Sequence, residues 1–328
     1  MRCVWVAMVT MLLAAPAWAA GRLIIVVGAE GEPEYGRQFN AWADRWAAAA
    51  KGALQVEQIG RGPVDGSGTP ATLPSPSTAP STQAVSDKDR LRVVLRTAAD
   101  EADGPLWLVL IGHGTADERG AKFNLRGPDV SDVELTEWLK PVKRPVAVID
   151  CSSASGPFLP RVSAANRVTV VATRSGSEHQ FARFGDMLSA AVIDPAADLD
   201  KDGQTSLLEA FLVASGRVDA LYTAAGRLVT EHALLDDTGD GRGLSADAFQ
   251  GTRLKRPTAN NAADGVRANQ WVLRPVEKMH SLAPETQAKC DELEAAVEAL
   301  RAKKSSLSED QYYRQLERLM IDLAKLEP

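Results

Sequence analysis

The chain is poor in cysteine. It has 3 in 328 residues, and Cys3 lies in the opening apolar stretch, which leaves Cys151 and Cys290. A secreted fold held by disulfides carries more of them, in pairs, so a disulfide scaffold is excluded and each remaining thiol needs its own explanation. Also missing is any apolar run long enough to span the roughly 30 Å hydrocarbon core of a bilayer. Nor is there an excess of positive charge. The 37 Lys and Arg against 43 Asp and Glu give a formal net charge of −6, which argues against nucleic acid as a partner. What opens the chain is a short apolar run, Val4 to Ala15, behind Arg2 and ahead of Pro16-Ala17-Trp18-Ala19. A basic start, a short apolar centre and an A-x-A end predict a secretory signal peptide, residues 1–19, cut after Ala19. Cys3 stands too early to be a lipid-attachment cysteine. The expectation is an exported chain, periplasmic or extracellular, with no stable membrane insertion.

Beyond residue 20 the pattern alternates. Leu23 to Gly28 is a continuous β-rich run, as expected of a strand buried on both faces of a parallel sheet. Tyr35 to Lys51 carries Phe39, Trp42 and Trp46 at helical spacing, and Gln55 to Ile59 reads as a second strand. Residues 60–86 are rich in Gly, Pro, Ser and Thr and bury too little apolar surface to order themselves, which predicts a flexible insertion. Asp87 to Glu101 predicts a helix, Leu106 to Ile111 a strand, and Ser131 to Leu139 a helix capped by Ser131. Pro145 to Ile149 and Arg167 to Ala172 read as two more strands, with a helix around Phe158 to Ala165 between them. This alternation predicts an α/β fold with a mainly parallel sheet flanked by helices. In such sheets reactive groups gather at the carboxyl ends of the strands. Residues 20–250 are expected to form this domain and 251–283 a linker. Residues 284–328 are expected to form a helical hairpin, because Leu293, Val297 and Leu300, then Tyr312, Leu316, Leu319 and Leu323, recur at helical intervals around a break at 304–307. A hairpin of this kind suits packing, self-association or a protein partner.

Two strands end in groups that belong together chemically. Leu106 to Gly112 runs into His113-Gly114, and Val146 to Asp150 runs into Cys151. If these strands are parallel neighbours, both side chains emerge at one sheet edge. An imidazole beside a thiol generates the thiolate, the species that attacks a carbonyl. The N–H groups of Gly114 and Cys151 could receive the developing oxyanion. Alone, a cysteine after a buried strand is usually core packing and a histidine there a hydrogen-bonded surface group. The two together are more specific.

An apolar strand ending in His-Gly, followed by one ending in Asp-Cys, resembles the signature of the clan CD cysteine peptidases: legumains, caspases, gingipains and separases. The legumain group is the nearest in pattern. Cys151-Ser-Ser-Ala-Ser-Gly156 resembles its small-residue segment after the nucleophile, and Val171 to Glu178 its next strand and polar end. Phe184-Gly185-Asp186 resembles a segment whose aspartate lines the specificity pocket. Val27 to Gly31 with Tyr35 and Arg37 resembles the first strand and the basic loop flanking that pocket. Ile149 stands where legumains carry a pocket glutamate, so no asparagine specificity follows. The resemblance covers about Arg22 to Asp186. It implies a caspase-like fold and a cysteine endopeptidase that works through a thioacyl-enzyme intermediate, by hydrolysis or transamidation, with no cofactor for catalysis. Cys151, His113 and Gly114 would be its catalytic groups, and Asp186, Arg37 and Tyr35 would bind a peptide or protein substrate. The alternative is a catalytically silent, calcium-stabilised legumain-like binding module.

Downstream, Asp198, Asp200, Asp202, Gln204, Ser206 and Glu209 supply oxygen at every diagnostic position of an EF-hand loop, with Gly203 at the turn. A structural calcium ion is expected at Asp198, Asp200, Asp202, Gln204 and Glu209. Asp236-Asp237-Thr238-Gly239-Asp240-Gly241 is a weaker echo with no closing glutamate, only Asp247, and a simple turn explains it equally well.

Overall fold

A computed structural model describes residues 21–61, 85–101, 104–256, 264–273 and 284–326. The expected signal peptide and residues 62–84 of the expected insertion lie outside the described residues. The chain opens with β1 (Arg22–Val27), α1 (Pro33–Ala49), β2 (Gln55–Ile59), α2 (Asp87–Asp100) and β3 (Leu106–Ile111). Three short strands follow, β4 (Gly114–Asp117), β5 (Gly120–Phe123) and β6 (Val130–Ser131), then α3 (Asp132–Leu139) and β7 (Val146–Asp150). Next come α4 (Leu159–Val162), β8 (Arg167–Val171), α5 (Phe184–Ala191), α6 (Leu207–Ala224) and β9 (Leu234–Asp236). The last elements are β10 (Phe249–Gln250), β11 (Arg253–Leu254), α7 (Val266–Gln270), α8 (Pro284–Ala302) and α9 (Glu309–Ala324).

The fold is mixed α/β with a mainly parallel central sheet flanked by helices. Its strand order is β2-β1-β3-β7-β8-β9. The first five strands run parallel, and β9 closes the edge antiparallel to β8. Helices cover both faces, which is why β3 and β7 are apolar without alternation. On one face Val109, Ile111, Ile149 and Cys151 pack with Phe39, Trp42 and Trp46 of α1 and with residues of α5 and α6. On the other, Leu108, Leu110, Val146 and Val148 pack against Leu91 and Leu95 of α2 and Leu135 and Leu139 of α3. A smaller antiparallel sheet, β4-β5-β6, projects just after β3.

Local chemistry sets the boundaries. Ser131 and Glu134 form a capping box that starts α3, as Ser206 and Glu209 do for α6. The helix expected over Phe158 to Ala165 is a single turn, because the chain must re-enter the sheet at Arg167, next to Val146. β7 runs one residue further than expected and takes in Asp150. The segment read as a linker, 251–283, contributes to the core: Trp271 and Leu273 are buried, and Trp271 meets Trp107 edge-on at 4.9 Å between ring centroids. α8 and α9 form the hairpin, with Leu293, Val297, Leu300 and Tyr312 buried. No helix among the described residues is long and apolar enough to cross a membrane.

Candidate active site

β3 and β7 are hydrogen-bonded parallel neighbours, with Leu110 opposite Asp150. Side chains alternate along a strand, so Cys151 falls on the face of Ile111 and Ile149, under α1 and α5. His113 follows two residues beyond Ile111 and meets the same layer. Its ring stands edge-on to Tyr35 (5.0 Å) and Phe39 (5.2 Å) of α1 and to Phe181 (6.0 Å). The strand ends touch through Gly114. A Cβ there would lie 2.7 Å from Ser152 Oγ, and the Gly114 N–H points at Ser153 Oγ, 3.4 Å away. His113 Nε2 lies 3.3 Å from the Glu30 carbonyl oxygen. A carbonyl can only accept, so Nε2 carries the hydrogen and the Nδ1 lone pair is left as a base. Among the described residues no hydrogen bond joins Cys151 to His113.

Cys151 is only 1 % exposed. Burial pushes its thiol well above the ordinary range, and the neighbouring Asp150 carboxylate pushes the same way. Asp150 is itself raised from 3.8 to about 6 by burial, against the opposing hydrogen bonds from Ser152. Its Oδ1 accepts from the Ser152 N–H (2.9 Å) and hydroxyl (2.6 Å), while Oδ2 is buried without a partner. The Cys151 N–H donates to the Leu110 carbonyl at 2.9 Å. It belongs to the sheet ladder and is not available to an oxyanion, and the other expected donor, the Gly114 N–H, is directed at Ser153 Oγ at the longer distance of 3.4 Å.

Several positioning groups escape local sequence reading. After Cys151 the chain turns through Ala154, which holds a left-handed φ of 53° and donates its N–H to the Glu178 carbonyl at 2.9 Å. Thr173, at the end of β8, binds Ser155 and the Gly156 N–H (3.0 Å). Glu231 is 4 % exposed and accepts from the Arg183 and Phe184 N–H groups (2.7 and 2.9 Å) and from the Tyr222 hydroxyl (3.1 Å). That carboxylate caps the start of α5, the helix over Cys151. A cavity of about 310 Å³ is lined by Arg174, Phe184, Glu231 and His232, none of which the sequence marks as a binding residue.

Of the expected pocket residues, Tyr35 lies against His113. The Asp186 carboxylate instead pairs with Arg45 of α1, whose Nε also reaches Ser189 Oγ (3.1 Å). Arg37 is exposed and makes no ion pair among the described residues. The structure therefore sets Tyr35 against His113, ties Asp186 to Arg45 and leaves Arg37 exposed.

The acidic loop after α5 is compact. Carboxylate oxygens of Asp198, Asp200 and Asp202 lie within 4.8 Å of one another. Asp198 accepts from the Gly203 N–H (3.1 Å), and Asp202 from the Gln204 N–H (2.7 Å). Crowding shows in Asp202, held above the usual carboxylate range by burial and by Asp200, Glu209 and Asp198. Glu209 is turned into the loop, accepting from the Leu199 (2.7 Å) and Asp200 (3.1 Å) N–H groups as well as from Ser206. Three converging hard-oxygen groups fit a divalent cation.

No protein-family model matches the chain, and no curated protein matches it.

Proposed function

We propose that the protein is an exported cysteine endopeptidase of the legumain-like, caspase-fold type, with Cys151 as nucleophile and His113 as its base. One observation carries this reading: the two residues follow neighbouring parallel strands on one face of the sheet, with Gly114 packed against the segment after Cys151. In the reaction His113 Nδ1 takes the Cys151 proton, and the thiolate attacks the peptide carbonyl carbon. The Gly114 N–H supports the oxyanion by exchanging its long bond to Ser153 Oγ for one to the substrate oxygen, and the amine leaves with the proton. Water then releases the acyl group from the thioester, or a second amine takes it by transamidation. Asp198, Asp200 and Asp202, with Gln204 and Glu209, would hold a structural calcium ion, which would stiffen the segment behind α5. The substrate residue before the cleaved bond is polar or basic, read by Asp186, whose carboxylate also holds Arg45, with Tyr35 and Arg37.

The silent binding module is favoured by a different observation, the burial of Cys151 beneath α5, which raises the pKa of its thiol. An electrophilic peptide probe separates the two readings. The peptidase labels at Cys151 and not at Cys290, and labelling fails in His113→Ala. A native protein that leaves Cys151 unlabelled over hours, yet labels it after denaturation, is the silent module.

A further inference from the structure

The end of the sheet remote from Cys151 holds a second cavity, of about 410 Å³, a volume in the range of small-molecule sites. Val146, which opens β7, lines it, and Cys151 follows the far end of that strand. The length of β7 sets the two about 17 Å apart, so this cavity is no part of the proposed active site. Its walls are cationic. Lys140, Lys143, Arg144, Arg161 and Arg167 line it, with Glu137 as the one acidic residue among the described lining, in a chain whose formal net charge is −6. These cations come from the end of α3, the turn into β7, α4 and the start of β8, and only the fold gathers them.

Arg167 is the observation that points to a ligand. It is 7 % exposed, and its guanidinium donates to the Leu139 (3.2 Å) and Val162 carbonyls, the last of α3 and α4. No carboxylate pairs with it among the described residues, and its Nε is buried without a hydrogen-bond partner. A buried cation that meets no opposite charge is costly. Burial pulls its pKa down to about 10. Arg144, equally buried, is by contrast answered by Glu101 Oε2 at 3.1 Å. The rim is poorly matched too. Lys143 is exposed and makes no ion pair among the described residues, Lys140 reaches Glu137 only at 3.7 Å, and Arg161 reaches Asp132 only at 3.9 Å.

We propose that this cavity binds a small oxyanion-bearing molecule, a phosphate ester or an organic acid. Lys140, Lys143 and Arg161 hold the anionic group, the buried Arg167 charge draws it in, and Val142 and Val146 meet the apolar remainder. A cleft lined by one sign of charge focuses the field and enriches the counter-ion within it. The bound anion ties the end of α3 to α4 and stabilises the fold in proportion to its occupancy.

The test is calorimetry and thermal unfolding of the purified full-length protein with inorganic phosphate and with succinate, against chloride at matched ionic strength. Such anions also stabilise proteins by exclusion from the surface, so the variants decide. Lys143→Gln and Arg161→Gln, both at exposed positions, should each weaken the better probe about three- to fivefold, and the double variant about tenfold or more. Their midpoints in chloride should stay close to that of the parent. Added sodium chloride should weaken binding to the parent. Tighter phosphate assigns the site to a phosphate ester, and tighter succinate to an organic acid. Cys151→Ala should bind as the parent does, so the result stands whether or not the protein is a peptidase. Unchanged affinity in the double variant would overturn the proposal. So would a parent that binds neither probe, even one captured by phosphatidylserine vesicles through Lys143 and Arg161, which would make the patch a membrane contact.

Discussion

A methyl group on Gly185 would lie 2.7 Å from the Cβ of Cys151 and 2.7 Å from the ring of Trp42. The first turn of α5 therefore rests directly on the thiol, and only a residue without a side chain lets it do so. With Cys151 only 1 % exposed, the proposed reading requires part of this cover to move before substrate meets the thiol.

Gly185→Ala should thus lift α5 from the sheet. Overpacking of this kind costs about 1–3 kcal/mol, read by urea unfolding, and should speed alkylation of Cys151 in the native protein. Gly216 lies in α6 with nothing near its missing Cβ, so Gly216→Ala should instead stabilise by about 0.5–1 kcal/mol. A neutral Gly185→Ala would mean that α5 does not seal the thiol.

Glu231 holds that seal from below. Glu231→Gln keeps the size but loses the charge that three donors share, and should cost about 1–3 kcal/mol. Native Cys151 alkylation should rise with it. A variant that loses stability without exposing the thiol would separate Glu231 from the site.

Asp150 gives the account a pH signature. Its carboxyl titrates at 3.8 in the ordinary state and at about 6 in the fold, so the folded protein holds the proton more tightly. The resulting stabilisation is complete below pH 3.8 and is lost as pH rises through about 6. The difference corresponds to roughly 3 kcal/mol. Asp150→Asn keeps the acceptor for Ser152 and removes the titration. Its stability relative to the parent should improve by up to about 3 kcal/mol between pH 4 and pH 8. Removing the charge should also lower the Cys151 pKa and speed its alkylation at fixed pH. A stability difference that does not change with pH would contradict the assignment.

Chelation should lower the unfolding midpoint through the Asp198 loop. Glu209 also caps α6, so Glu209→Gln mixes two effects; Asp200→Asn, at an exposed position, is the cleaner variant. It should shrink the calcium-dependent rise while leaving the midpoint in chelator nearly unchanged. An identical rise in Asp200→Asn would make the first loop an ordinary turn.

The parallel strands were legible because burial on both faces forces unbroken apolar runs, and β1, β3, β7 and β8 lie within a residue or two of where those runs place them. β9 was not, since three residues carry no periodicity, and neither were the paired short strands β4 to β6, whose partners are set by tertiary packing. His113 and Cys151 stood out as chemistry at strand ends. Their cover did not: the Gly185 contact, the Glu231 cap and the Cys151 N–H in the ladder each depend on residues brought together from distant parts of the chain. The linker reading of 251–283 followed from weak patterning, and Trp271 shows how one aromatic residue can tie such a segment to the core.

The most direct test of the central claim is a peptide-library cleavage profile of the purified protein beside Cys151→Ala, His113→Ala and Cys290→Ala. The account predicts cleavage after polar or basic residues by the parent and by Cys290→Ala. It predicts a loss of at least about a thousandfold in the Cys151 and His113 variants, with their fold intact. Cleavage retained by purified Cys151→Ala, or a folded, calcium-loaded parent that cleaves nothing, would contradict it.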